Sequence, residues 1–199
     1  MNNCNTDILV LDNCIGKKQQ NILESYICSS KFLWGFCEGG ILKRDTQYSN
    51  CCTIEKGINP PYFSHFFNVV NNSNIVFFQP LFNSIATYYN TSIHILKCEI
   101  NLLTKRDCSQ HHYPHAYNNN FSEEINTAIY YVIDSDGDTY LFDQFVPGTT
   151  DNLLIVKAFT PKKGSMVIFD SRRFHSSSSP IYNEKRIVID VVFKIPKIY

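Results

Sequence analysis

The stretch TAIYYVIDSDGDTYLFD, residues 127–143, decides the fold. Two short runs rich in β-branched and aromatic residues flank Asp134–Asp138, where Asp, Ser and Gly supply turn chemistry. The segment predicts a strand, a tight turn and a returning strand. The same texture recurs on both sides. HILKCEINLL (94–103), LLIVKAF (153–159), SMVIFD (165–170) and RIVIDVVF (186–193) are strand-like, and VPGTTDN (146–152) and TPKKGS (160–165) punctuate them.

Upstream the period changes. In GKKQQNILESYICS (16–29), Ile22, Leu23, Tyr26 and Ile27 fall on one helical face. A second helix is predicted from about Asn74 to Tyr89, with Val76, Phe77, Leu81, Ile85 and Tyr88 at helical spacing and Pro80 inside it. FLWGFCEG (32–39) reads as a strand, and residues 41–61, broken by Gly57, Pro60 and Pro61, as a loop. Helices first and strands afterwards predict a mainly β protein with N-terminal helices, its strands folded into a jelly-roll β-sandwich. No repeat or linker divides the chain. The expectation is a single domain over 1–199, with 1–92 as helical support and first strands and 93–199 as the β core.

Composition narrows the functional classes. The chain has 199 residues, 44% hydrophobic and 18% charged, enough to bury a full core. Eighteen basic residues balance eighteen acidic ones, which removes the electrostatic footprint of a dedicated nucleic-acid binder. The start, MNNCNTDILVLDNCIG, lacks the pattern of a secretory signal, and the apolar runs fall short of the roughly 20 residues of a membrane span. A soluble, cytoplasmic protein is expected. The eight cysteines contain no C-x-x-C pair, so they read as reduced structural thiols rather than as a zinc site or disulfide framework.

Among six histidines, two have informative neighbours. His115 follows Pro114 just before a predicted strand, and His175 follows VIFDSRRF just after one. Arg186 comes eleven residues later, at the opening of the last apolar run. Two imidazoles and a carboxylate hold ferrous iron on one face in non-haem oxygenases, and a guanidinium takes a carboxylate in a planar, two-pronged way. His65 lies among aromatics in YFSHFF, His94 begins a strand, and His111–His112 sit in a polar loop; none has metal-ligand spacing.

From about residue 93 to 194 the chain resembles the iron(II)/2-oxoglutarate-dependent dioxygenases, on the branch with prolyl hydroxylases and many phage and viral members. YPHAY (113–117) is similar to the family's P-H-x-D turn, and the 127–142 segment to its strand–turn–strand ending in G-x-T-x-F. PKKGSMVIFDSRRFHSSSSP (161–180) resembles the strand carrying the distal histidine, and KRIVIDVVF (185–193) the final strand with its arginine. The resemblance implies a double-stranded β-helix with Fe(II) and 2-oxoglutarate as cofactors. It implies His115 and His175 as catalytic metal ligands, Arg186 as the anchor of the 2-oxoglutarate distal carboxylate, Thr139 as its helper and Tyr131 as a wall of that pocket. The implied reaction consumes dioxygen and hydroxylates a second substrate: a protein side chain, an amino acid or a nucleobase. A virus-encoded origin fits the same branch.

The pattern breaks at Tyr117, which stands where the family's metal-binding aspartate belongs. Tyr117 as a phenolate ligand, a two-histidine site with an extra open position, and a site without metal all follow from that exchange. The last would make the chain an inactive pseudo-oxygenase that binds a ligand or partner. A cupin-like use of the histidines for another metal is a third reading. Alternation along the last strand places Asp190 on the same face as Arg186.

Overall fold

The computed structural model describes residues 8–39, 51–53, 57–67, 73–108, 110–117, 124–146 and 153–196. Its elements are β1 (Leu9–Leu11), α1 (Lys17–Ile27), β2 (Gly35–Cys37), β3 (Cys51–Thr53), β4 (Tyr62–Phe66), α2 (Ile75–Tyr89) and β5 (His94–Thr104). There follow β6 (His115–Tyr117), β7 (Ile125–Tyr131), β8 (Thr139–Phe145), β9 (Ile155–Phe159), β10 (Met166–Asp170), β11 (Arg173–Ser177) and β12 (Lys185–Lys194). Part of the predicted 41–61 loop and most of the VPGTTDN turn lie outside the described residues.

Two antiparallel sheets form the sandwich. The larger runs β1-β10-β7-β12-β5-β4-β2 and the smaller β3-β6-β11-β8-β9. This is the predicted jelly-roll class, with the two helices on one side. The larger sheet is covered on both faces, which explains why RIVIDVVF is almost uninterrupted apolar sequence. Its outer face, carrying Ile100, Ala128, Ile168, Ile187, Ile189 and Val191, packs in one cluster with Leu23 and Ile27 of α1 and Phe78, Leu81 and Ile85 of α2. Its inner face gives Ile129, Tyr131, Val167, Phe169 and Val188, which meet Leu141 of the smaller sheet.

The predicted helices form with shifted faces. Ile22, Val76 and Tyr88 are exposed, and Phe78 and Phe82 take core positions beside Leu81 and Ile85. The core lies on one side of each helix, and its azimuth is set by the sheet beneath rather than by helical period alone. α2 ends at Asn90 in the left-handed conformation (φ 51°), a geometry asparagine tolerates. Five strands were not predicted, the short polar β11 (RFHSS) among them. β1, β3 and β6 are only three residues long, and β4, YFSHF, shows no clean alternation. His115 and His175 lie within strands rather than beside them.

Candidate active site

β6 and β11 are neighbours in the smaller sheet, and His115 and His175 are direct register partners. Residues 60 positions apart thereby bring their rings to 4.2 Å between centroids. His175 Nδ1 donates to the Arg173 carbonyl at 3.1 Å, and His115 Nδ1 makes a longer 3.4 Å contact to the Tyr113 carbonyl. A proton held on Nδ1 leaves the lone pair on Nε2, the arrangement that backbone carbonyls impose on metal-binding imidazoles. Burial lowers the pKa of both rings. His115 is held well below the usual range, with His175 adding to the effect, and His175 is lowered to about 4. Both are neutral at pH 7. Phe169 packs edge-on against His175 at 4.9 Å and closes the apolar side.

Two residues beyond His115 on the same strand face, Tyr117 also points between the sheets. Its hydroxyl oxygen accepts a hydrogen bond from Lys97 Nζ at 2.6 Å. Lys97 in turn pairs with Glu99 at 2.8 Å. Lys97, Glu99 and Asn101 occupy alternate positions of β5, opposite the face that carries Cys98 and Ile100 into the helix-side core. Asp190 of β12 is the register partner of Glu99 and accepts from Asn101 Nδ2 at 2.7 Å. Burial, reinforced by Glu99, raises the Asp190 pKa to about 6 against the pull of Lys97, Arg186 and Asn101.

The second part of the site is Arg186. Its side chain is 3% exposed, and no ion pair joins it to a carboxylate among the described residues. Nε donates to the Gly137 carbonyl at 2.8 Å and Nη2 to Thr139 Oγ1 at 2.7 Å. Gly137 is required here, since a Cβ would lie 2.6 Å from the Ser178 carbonyl and 3.0 Å from Arg186 Cδ. The Tyr131 hydroxyl donates to the same Thr139 Oγ1 at 3.0 Å. Burial raises the Tyr131 pKa to about 12, so it keeps that proton. A hydroxyl has two lone pairs and one proton. Thr139 accepts twice, and its own O–H is left to donate. A buried guanidinium beside a donor-only hydroxyl has the chemistry to receive an anion, because an unpaired buried charge is costly.

All six candidate residues therefore lie between the sheets: His115, His175 and Tyr117 on one side, Arg186, Thr139 and Tyr131 on the other. The two imidazoles fit a divalent metal, since rings this close can each offer a nitrogen at about 2.0–2.2 Å. At the third position the Tyr117 oxygen is engaged by the Lys97 ammonium. No group of three His, Cys, Asp or Glu suited to a metal ion occurs among the described residues. The four residues Lys97, Glu99, Asn101 and Asp190 form a polar layer, of which only Asp190 was anticipated. Their signal was the polar–apolar alternation of KCEIN, which ordinarily marks a solvated strand face. His65 packs on Phe32, and His112 lies between Ser177 and Ser179 hydroxyls.

No family model and no curated protein matches the sequence. Solved structures do. The chain superposes on the non-haem α-ketoglutarate-dependent epimerase SnoN of nogalamycin biosynthesis with a TM-score of 0.60 and 9% identity, covering 95% of this chain and 78% of that one. HygX of Streptomyces hygroscopicus, solved with nickel and 2-oxoglutarate, matches at 0.59 and 10%, covering 95% and 83%. A prolyl hydroxylase from Trichoplax adhaerens in complex with a hypoxia inducible factor peptide matches at 0.58 and 13%, covering 96% and 84%. The chain shares the fold of these proteins. No helix among the described residues is long and apolar enough to cross a membrane.

Proposed function

We propose that this chain is an iron(II)/2-oxoglutarate-dependent oxygenase with a two-histidine metal centre, hydroxylating a C–H bond of an unidentified second substrate. The observation that carries the reading is Arg186, a buried guanidinium without a carboxylate partner among the described residues. Its remaining donors and the Thr139 O–H are arranged to receive the distal carboxylate of 2-oxoglutarate. Tyr131 fixes the Thr139 hydroxyl from behind. In this reading His115 and His175 hold iron through Nε2, and Phe169 and the inter-sheet apolar cluster keep bulk water from the reacting face. Bound iron supplies dioxygen activation coupled to oxidative decarboxylation of 2-oxoglutarate to succinate. In this reading residues from 93 onward carry the site, and α1 and α2 brace the larger sheet.

The shared fold with α-ketoglutarate-dependent enzymes supports this class. A non-catalytic dicarboxylate-binding protein is the competing reading, and the Lys97–Tyr117 contact is the observation in its favour. Succinate formation by purified protein, loaded anaerobically with ferrous ion and then given 2-oxoglutarate and oxygen, decides between them. Binding of 2-oxoglutarate without succinate, at full iron occupancy, would leave only the binding protein. The prime substrate, whether protein side chain, amino acid or nucleobase, is a matter for screening once turnover is in hand. A virus-encoded origin belongs with the resemblance to phage and viral members.

A further inference from the structure

We propose that Lys97 is the residue that sets metal occupancy of the His115–His175 pair, by holding as its own partner whatever anionic or oxygen ligand stands at position 117. The inference rests on the metal reading above and goes beyond it. The exchange of aspartate for tyrosine suggests a simple vacancy, repaired by restoring the carboxylate. The structure shows a different arrangement. Lys97 Nζ lies 2.6 Å from the Tyr117 oxygen and 2.8 Å from Glu99 Oε2, and its cationic head is 5.2 Å from the Tyr117 ring centroid and 5.3 Å from that of Phe66.

Position 117 is thus paired with a cation already. An ammonium and a divalent ion cannot share one small ligand without repelling each other. Glu99 balances the formal charge of Lys97, but its carboxylate is engaged by the ammonium and belongs to no metal-competent cluster among the described residues. An aspartate introduced at 117 would face the same ammonium, which can follow it on a flexible four-carbon stem. The carboxylate would then form an ion pair with Lys97 in place of a metal bond. Position 117 and Lys97 therefore act as one unit, and metal affinity rises only when both change.

The test is a double-mutant cycle read by Mn²⁺ affinity, using calorimetry on the full chain with saturating 2-oxoglutarate. The proteins are the starting chain, Tyr117→Asp, Lys97→Met and the double variant. The expected result is little gain from Tyr117→Asp alone and a gain of about tenfold or more when Lys97→Met is added, the coupling typical of groups within one network. Should Lys97→Met prevent folding, Tyr117→Asp with Lys97→Gln carries the same test, since glutamine keeps a hydrogen-bond donor and removes the charge. Equal affinity of Tyr117→Asp and the double variant would overturn the role of Lys97 while leaving the metal reading intact. Absence of Mn²⁺ binding in all proteins would overturn the metal reading and this inference with it.

Discussion

His175 and His115 face each other as register partners on adjacent antiparallel strands, with ring centroids 4.2 Å apart. Neither ring reaches its position through helical or local spacing; the β6–β11 pairing alone unites them. The proposed metal centre draws only two nitrogens from the protein and so has no reserve. His175→Ala is expected to abolish Mn²⁺ or Ni²⁺ binding in the presence of 2-oxoglutarate while leaving the fold intact. Retention of stoichiometric metal by this variant, measured after dialysis, would remove His175 from the site.

Arg186 is expected to dominate 2-oxoglutarate affinity. Arg186→Ala should weaken binding by about 2–5 kcal/mol, the cost of losing the charged partner of a buried carboxylate. Arg186→Lys should recover little of this. Nε and Nη2 are fixed by Gly137 and Thr139, and an ammonium cannot reproduce that planar pair of bonds. Calorimetry showing near-native affinity in the lysine variant would argue against the planar receptor.

Asp190 gives a pH-dependent prediction. Its folded pKa of about 6 lies above the ordinary 3.8, so the folded state favours the protonated carboxyl. The sign follows by linkage: stability from this group is complete below about pH 4 and is lost as pH rises through 6. Asp190→Asn should stabilise the protein at pH 7 by about 1–3 kcal/mol, since each pKa unit corresponds to 1.36 kcal/mol. The new amide also has a partner waiting, because Asn101 Oδ1 is buried without a hydrogen bond among the described residues. The gain should vanish at pH 4, as chemical denaturation at the two pH values would reveal.

The buried imidazoles act in the opposite direction. His175, lowered to about 4 by burial, stays neutral in the folded state and must charge on unfolding below its ordinary 6.5. Stability from this ring is present above pH 6.5 and falls as pH drops toward 4. His175→Ala should therefore flatten the acid limb of the stability profile. An unchanged slope between pH 6.5 and 4 would show that the ring is not desolvated as the packing against Phe169 requires.

Tyr130 offers a test of the core alone. Its hydroxyl is buried and has no hydrogen-bond partner among the described residues. Tyr130→Phe should be neutral or stabilising by up to about 1 kcal/mol, because it deletes an unsatisfied polar group and keeps the ring. A marked loss of melting temperature would mean that the hydroxyl is satisfied after all.

What the amino-acid order determined by itself was the set of elements with strong local signals. The 127–143 hairpin, the long runs at 94–103 and 186–193 and the two helices are legible because turn chemistry and hydrophobic period act within a few residues. The motif order also singled out His115, His175, Thr139 and Arg186, of which the fold makes the first two register partners and hydrogen-bonds the last two to each other. The three-residue strands were not legible, since pairing with distant partners is what makes β1, β3 and β6 extended. The destination of a polar strand face was equally hidden. Lys97, Glu99 and Asn101 have the spacing of a solvated edge, yet the second sheet covers them and turns that face into the lining of the site. Sequence period specifies that a strand has two different faces; only the packing of one sheet on another decides which of them meets water.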